Sequence, residues 1–391
     1  MVECKTFQTP QMLYYQQNAL QKLGFQAKQY GQKALIVSDK IMEELGNVQK
    51  CIDLLSEVGV ESAIFLEVNS EPTDEHVAAA MSVLEKEQCD LVVSIGGGSC
   101  IDTAKAVAIL ATNGGYIGDY MNQQKIASKA SLPHIAIPTT AGTGSEATDV
   151  TVITNTSNHV KMMIKQPVLM PTVAIVDPLL SVSSPKSVTA ATGVDALCHA
   201  IEAYISKKAQ PMTDVMALSA MKYIVRNLKV AYDDGENIAA REGMAIGALQ
   251  AGMAFSNASV CLVHGMSRPI GALFNVPHGF SNAMLLPAVL EYSRESCVER
   301  LADLGRLFAE EDTVLTNEQA ADVAVKSVKE LCKYLSIPNL KEWGIEEEAF
   351  NEAIDKMADD ALDSGSPGNN PKVPTKEEIK ALYTTCYTYA F

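Results

Sequence analysis

The sequence predicts a two-part chain: an α/β domain with a parallel sheet over residues 1–185, then an all-helical domain over 186–391. Three observations carry this. Short apolar strands alternate with helix-period segments through the first half. Two loops rich in glycine and hydroxyl residues, GGGS (96–99) and PTTAGTGS (138–145), follow such strands. From Ser187 onward the strand-like runs stop, and Ala, Met, Leu and small residues recur at helical spacing.

In chain order, KALIVSD (33–39) reads as a buried strand ending at Asp39, and a helix follows to about Glu57. SAIFLEV (62–68) is a second strand, with a helix over 73–87. LVVSI (91–95) is a third, entering the glycines and then the helix IDTAKAVAILA. HIAIPTT (134–140) is a fourth, and DVTVITNT and TVAIVDP supply further strand-like pieces. Strand and helix repeated this way give a parallel sheet covered on both faces. The second half reads as helices over 187–274, 296–310, 317–335, 345–362 and 375–388, the last capped by Thr375 ahead of Lys-Glu-Glu. The boundary falls near VSSPKS, and SGSPGNNPKVP (364–374) is a loop.

Composition narrows the function classes. With 47% hydrophobic and 20% charged residues, the 391-residue chain has the balance of a soluble globular protein. The net charge of −16 argues against nucleic acid or an anionic membrane as partner. The opening MVECKTFQTPQML lacks a signal-peptide pattern, and no apolar run is long enough for a bilayer. The nine cysteines are scattered without a CxxC pair, which suggests reduced, buried thiols. A cytoplasmic protein is expected.

The glycine loop joins a strand to a helix. Gly96, Gly97 and Gly98 let backbone approach a ligand, and the helix start at Ser99 offers N–H groups and a positive dipole end, which together favour phosphate. A tight turn with no ligand would also use glycines, and neither GxGxxG nor GK[ST] is present. The loop after the fourth strand supports the ligand reading, because two such loops at carboxyl ends of parallel strands bound a dinucleotide crevice. Asp39 could accept from a ribose diol and repel a 2′-phosphate, favouring NAD over NADP; it could equally be a turn residue.

Only six histidines occur, and three lie in the helical half. Asp195 and His199 stand at i, i+4 on an otherwise apolar helix, where burial is costly without a partner. His264 and His278 bracket the stretch HGMSRPIGALFNVPHG. One carboxylate and three imidazoles suit Fe²⁺ or Zn²⁺. Any one of these histidines alone would read as structural.

GGGSCIDTAK (96–105), PTTAGTGSEAT (138–148), GVDALCHAIEAY (193–204) and HGMSRPIGALFNVPHG (264–279) together resemble the iron-containing alcohol dehydrogenases, in the same order and over nearly the whole chain. The resemblance implies a dehydroquinate synthase-like fold and a metal held by Asp195, His199, His264 and His278. It implies NAD(P) held by Asp39, the Gly96–Ser99 loop, Asp102, Thr139, Thr140, Thr143 and Lys161, the last near the nicotinamide ribose. A small alcohol or aldehyde is the expected substrate, and a homodimer or larger homo-oligomer the expected assembly. A dehydroquinate synthase-like lyase and a zinc-dependent glycerol-type polyol dehydrogenase share this layout and are the competing readings.

Two positions depart from the family pattern. Many members carry histidine where this chain has Arg268, and arginine cannot act as a general base at neutral pH. A guanidinium suits a carboxylate on the substrate, as in a 4-hydroxybutyrate and succinic semialdehyde pair; pairing with a nearby Asp or Glu, or with the cofactor pyrophosphate, is the other reading. In NSEPT (69–73), Glu71 stands where many members have an asparagine contacting the adenosine.

Overall fold

A computed structural model describes residues 4–69, 71–158, 160–310 and 313–391, leaving Ser70 and His159 outside the described residues. The chain divides into two compact units. One runs Gln8–Ser183; the other takes in the chain up to Phe7 together with Ser184–Phe391.

The Gln8–Ser183 unit contains β1 (Met12–Tyr15), α1 (Leu23–Tyr30), β2 (Lys33–Val37), α2 (Lys40–Glu44), α3 (Asn47–Ser56), β3 (Glu61–Phe65), α4 (Asp74–Glu87), β4 (Leu91–Gly96), α5 (Gly98–Asn113), β5 (His134–Pro138), β6 (Val150–Asn155), β7 (Val160–Lys165) and β8 (Val173–Val176). Six strands form one parallel sheet in the order β1-β8-β5-β4-β2-β3. Alternation along β2 shows why both faces are covered. Leu35 and Val37 pack into one core with Val77, Ala80, Ala104 and Val107, whereas Ala34 and Ile36 pack into another with Leu23, Ala27, Cys51 and Leu55.

Three local features differ from the sequence reading. The helix after β2 is two helices, broken where Gly46 takes φ +73°, a conformation that favours glycine. β6 does not join the sheet; it pairs antiparallel with β7, a strand the sequence reading had not marked. β1 is a four-residue edge strand paired with β8, too short to announce itself by pattern.

The other unit comprises α6 (Lys186–Ile205), α7 (Pro211–Asp233), α8 (Ile238–Ala258), α9 (Leu262–Phe274), α10 (His278–Ser293), α11 (Val298–Phe308), α12 (Asn317–Tyr334), α13 (Glu347–Asp363) and α14 (Lys376–Tyr387). α6 is buried along nearly its whole length, so its polar residues must find partners inside the unit. Thr375 caps α14: its Oγ1 accepts from Glu378 N at 3.2 Å, and its own N–H donates to Glu378 Oε2 at 2.8 Å. Among the described residues, no single helix is long and apolar enough to cross a membrane.

Close approach of α11 and α12 depends on Gly305. A Cβ built there would lie 1.7 Å from the Ala320 carbonyl oxygen, so backbone rather than a side chain must move. Gly305→Ala is therefore expected to destabilise the protein by about 3 kcal/mol or more. Denaturant unfolding checks this, and a loss under about 0.5 kcal/mol would mean the helices separate freely.

Candidate metal centre and cofactor loops

The metal centre is built from three helices of one unit. α6 supplies Asp195 and His199, α9 supplies His264 in its first turn, and α10 begins at His278. Between α9 and α10 the chain reverses at Asn275, whose left-handed φ of 54° ends α9. That reversal brings the His264 and His278 ring centroids to 5.3 Å. One ligand atom from each of Asp195, His199, His264 and His278 lies within 4.8 Å of all the others.

Asp195 Oδ1 is 3.6 Å from His264 Nε2, 3.8 Å from His199 Nδ1 and 3.9 Å from His278 Nε2. His264 Nε2 and His199 Nε2 approach to 2.9 Å. Two ligands on one metal at about 2.1 Å stand roughly 3.0–3.5 Å apart, so this donor set fits a divalent cation with little adjustment. Three of the four residues are buried, and the His278 side chain is 32% exposed.

Electrostatics follow from the burial. Desolvation alone would raise the Asp195 carboxyl, but His199, His278 and His264 outweigh it and hold its pKa well below the ordinary value. Burial likewise opposes charge on His264, yet Glu202 and Asp195 prevail and raise its pKa. Such acid–imidazole pairing is what a metal replaces when it takes the protons' place.

Glu202 had no role in the sequence reading. Its Oε2 lies 2.6 Å from His264 Nδ1, and its Oε1 accepts from Val263 N at 2.6 Å. A carboxylate on Nδ1 fixes the tautomer that points the Nε2 lone pair into the ligand cluster. Its signal was available: Glu202 is a charge on the same apolar helix as Asp195 and His199. Phe255 stacks on His199 at 4.3 Å between ring centroids and limits how that ring can turn. Asn282, also unmarked in the sequence reading, reaches Asp195 Oδ1 with its amide nitrogen at 2.6 Å.

Arg268 follows His264 by one turn of α9, and its Nη1 donates to Ser366 Oγ at 3.1 Å. Burial lowers its pKa to about 10, against the opposing effect of Glu202, so it remains a cation at neutral pH. Cys198 and Cys261 are buried, and desolvation first, with Glu202 next, pushes both thiols well above their ordinary value. They are inert core residues.

The cofactor residues expected from the sequence lie in the α/β unit. Gly96 ends β4 and Gly97 is the N-cap of α5, which has no side-chain cap, so no capping side chain takes up its first N–H groups. The second loop comes from β5, the neighbouring strand. Thr139 N donates to Gly96 O at 2.9 Å, and a Cβ on Gly98 would meet Thr143 Cγ2 at 2.8 Å. A Cβ on Gly97 would stand 3.9 Å from Thr140. The Gly96–Ser99 loop, Thr139, Thr140 and Thr143 are thus one surface.

Asp39 caps α2 through Oδ1, which accepts from Met42 N at 2.9 Å. Its Oδ2 lies 3.6 Å from Cys100 Sγ, beside the glycine loop. Both oxygens of Asp102 are engaged within the fold, by Ser145 Oγ at 2.6 Å and Val152 N at 2.8 Å. Asp102 therefore ties the second loop and β6 to α5. Lys105 adds to this brace, donating to Ser145 Oγ, Thr148 Oγ1 and Val150 O at 2.9, 2.8 and 2.7 Å. Burial takes its pKa down to about 8 despite Asp102 and Asp149. Lys161, on β7, pairs with Glu71 at 3.1 Å, so the residue that departs from the family pattern touches the lysine expected near the ribose.

A parallel sheet ending in a phosphate-suited glycine loop and an Asp-His₃ cluster on buried helices are the two marks of a metal-dependent dehydrogenase. Comparison with known proteins makes the assignment specific. Residues 10–178 match the family described as iron-containing alcohol dehydrogenase, and residues 189–387 match the C-terminal part of the Fe-containing alcohol dehydrogenase family. The 1,3-propanediol dehydrogenase of Klebsiella pneumoniae is 40% identical over 97% of both chains. The NAD-dependent methanol dehydrogenase of Bacillus methanolicus is 40% identical over 93% of this chain and 95% of its own. A crystal structure of a 1,3-propanediol oxidoreductase superposes with a TM-score of 0.94 at 39% identity, covering 98% of this chain and 100% of the other. The chain belongs to the iron-containing alcohol dehydrogenase family, and its helical half, with the α/β half before it, has that family's fold.

Proposed function

We propose that this enzyme is a metal-dependent, NAD(H)-linked alcohol dehydrogenase and aldehyde reductase acting on small primary alcohols and their aldehydes. The observation that carries the reading is the convergence of Asp195, His199, His264 and His278 on one point. These four residues hold Fe²⁺, with Zn²⁺ the other metal the donor set suits. When bound, the metal supplies Lewis-acid stabilisation of negative charge on the alcohol or carbonyl oxygen, and the nicotinamide supplies or accepts the hydride. The protein's own work is positioning, because the reaction class needs the two reacting carbons within roughly 3–3.5 Å. Glu202 keeps the His264 lone pair aimed into the site, and Phe255 fixes the His199 ring.

NAD is held along the Gly96–Ser99 loop with Thr139, Thr140 and Thr143, Lys161 serves the nicotinamide ribose, and Asp39 disfavours NADP. Asp102 acts by bracing that surface. Cytoplasmic residence is supported by the free cysteines, which suit a reducing compartment. A homodimer or larger assembly is supported by β1, an edge strand with Met12 and Tyr15 exposed.

Arg268 supports a second, narrower reading, in which the substrate carries an anion, as in succinic semialdehyde and 4-hydroxybutyrate. The guanidinium stays a cation at neutral pH and stands one turn after His264 on α9, a placement suited to an anionic group on the substrate. NADH oxidation with Fe²⁺-loaded enzyme, comparing butyraldehyde and succinic semialdehyde, tests both levels. Stoichiometric NADH consumption is expected and would exclude a lyase that uses the nucleotide transiently. A kcat/KM advantage of about tenfold or more for the acid, lost in Arg268→His, is expected of the anionic reading. Equal rates would make Arg268 an anchor for the Ser366 turn.

A further inference from the structure

Asn282 lies one turn after His278 on α10 and is completely buried. Its amide nitrogen is 2.6 Å from Asp195 Oδ1 and 3.1 Å from both His264 Nε2 and His278 Nε2. The oxygen it meets is the one that lies 3.6–3.9 Å from the three imidazoles. Only the NH₂ end of an amide can face a carboxylate at that distance, so the orientation is fixed by chemistry. The other end suffers for it: Asn282 Oδ1 is buried with no hydrogen-bond partner.

A buried, unsatisfied carbonyl costs about 1–3 kcal/mol, whereas a leucine of similar shape would cost nothing in polarity. The fold thus accepts an orphaned acceptor in order to place two N–H bonds among the metal-binding atoms. One of them goes to Asp195 Oδ1. The other lies between the Nε2 atoms of His264 and His278; each of these has one lone pair, so these two contacts give way when a cation takes it and only the bond to Asp195 Oδ1 persists.

We propose that Asn282 is a positioning residue for the metal site. Its bond to Asp195 Oδ1 keeps that oxygen turned toward the imidazoles and resists the carboxylate rotation that would bring in the second oxygen. Asp195 would then offer a cation one oxygen, which would leave a coordination position for the substrate, as catalytic sites require. Hydrogen bonds to ligands from outside the ligand set typically govern 10–100-fold in metal affinity. The inference rests on the metal assignment above.

The test compares wild type with Asn282→Leu and Asn282→Ala, each stripped of metal and checked for unchanged unfolding. Two quantities are read: the metal Kd by competition with a chelator, and the visible absorption of the Co²⁺-loaded protein, which reports coordination geometry. Both variants should bind metal about 10–100-fold more weakly, with Co²⁺ bands displaced from those of wild type. If Leu fails to fold, Ala is read alone, since it leaves space rather than bulk. A Kd within about twofold of wild type and an identical Co²⁺ spectrum would overturn the role of Asn282 while leaving the metal site standing. A wild-type protein that binds neither Fe²⁺ nor Co²⁺ would instead overturn the metal assignment itself.

Discussion

His278→Ala should yield a folded protein that retains less than a tenth of the wild-type metal and turns over at least about 10³-fold more slowly, a loss near 4 kcal/mol of transition-state stabilisation. The partly exposed position makes the experiment cleaner, because Asp195 keeps His199 and His264 as partners when the His278 ring is removed. His264→Ala should lose metal and activity to the same extent but also lose stability. Removing its ring strands the Glu202 carboxylate, buried and 2.6 Å from where Nδ1 stood, at a cost of about 3–5 kcal/mol. Metal content per chain, NADH turnover and denaturant unfolding separate the two effects. Full activity in either variant would remove the metal assignment.

Asp39→Gly should raise the ratio of kcat/KM with NADP to that with NAD by at least about tenfold, since a carboxylate beside the glycine loop repels a 2′-phosphate. Asp39 also caps α2, so the fold must be weighed. Replacing a capping Asp with Gly costs only a few tenths of a kcal/mol. Asp39→Asn provides the control, keeping an oxygen for Met42 N while removing the charge. An unchanged ratio in both variants would make Asp39 a helix cap and nothing more.

How much of this was legible in the sequence depends on the range of the interaction concerned. Asp195 and His199 were found because both sit on one helix four residues apart, where spacing alone defines a shared face. Glu202 carries the same mark on the same helix, yet its role comes from His264, 62 residues further on, and only the fold supplies that partner. Asn282 is harder still, since an uncharged amide on an apolar helix is ordinary until its neighbours are known. The buried strands of the sheet announced themselves as apolar runs. β6 was recognised as a strand but not as half of a hairpin, because its pairing is decided by β7 rather than by its own residues. Asp102 was placed with the cofactor by family resemblance, and the fold adds what the sequence could not show, its hydrogen bonds from Ser145 Oγ and Val152 N that brace the loop beside it.

The reversal at Asn275 has a consequence for how this gene can vary. His264 lies in the first turn of α9 and His278 opens α10, so the stretch from Gly265 to Pro277 is a spacer whose length is part of the site. One residue inserted into α9 would turn everything after it by about 100° and advance it by roughly 1.5 Å, aiming His278 away from Asp195. Insertions and deletions should therefore be rejected here even where every substitution is tolerated.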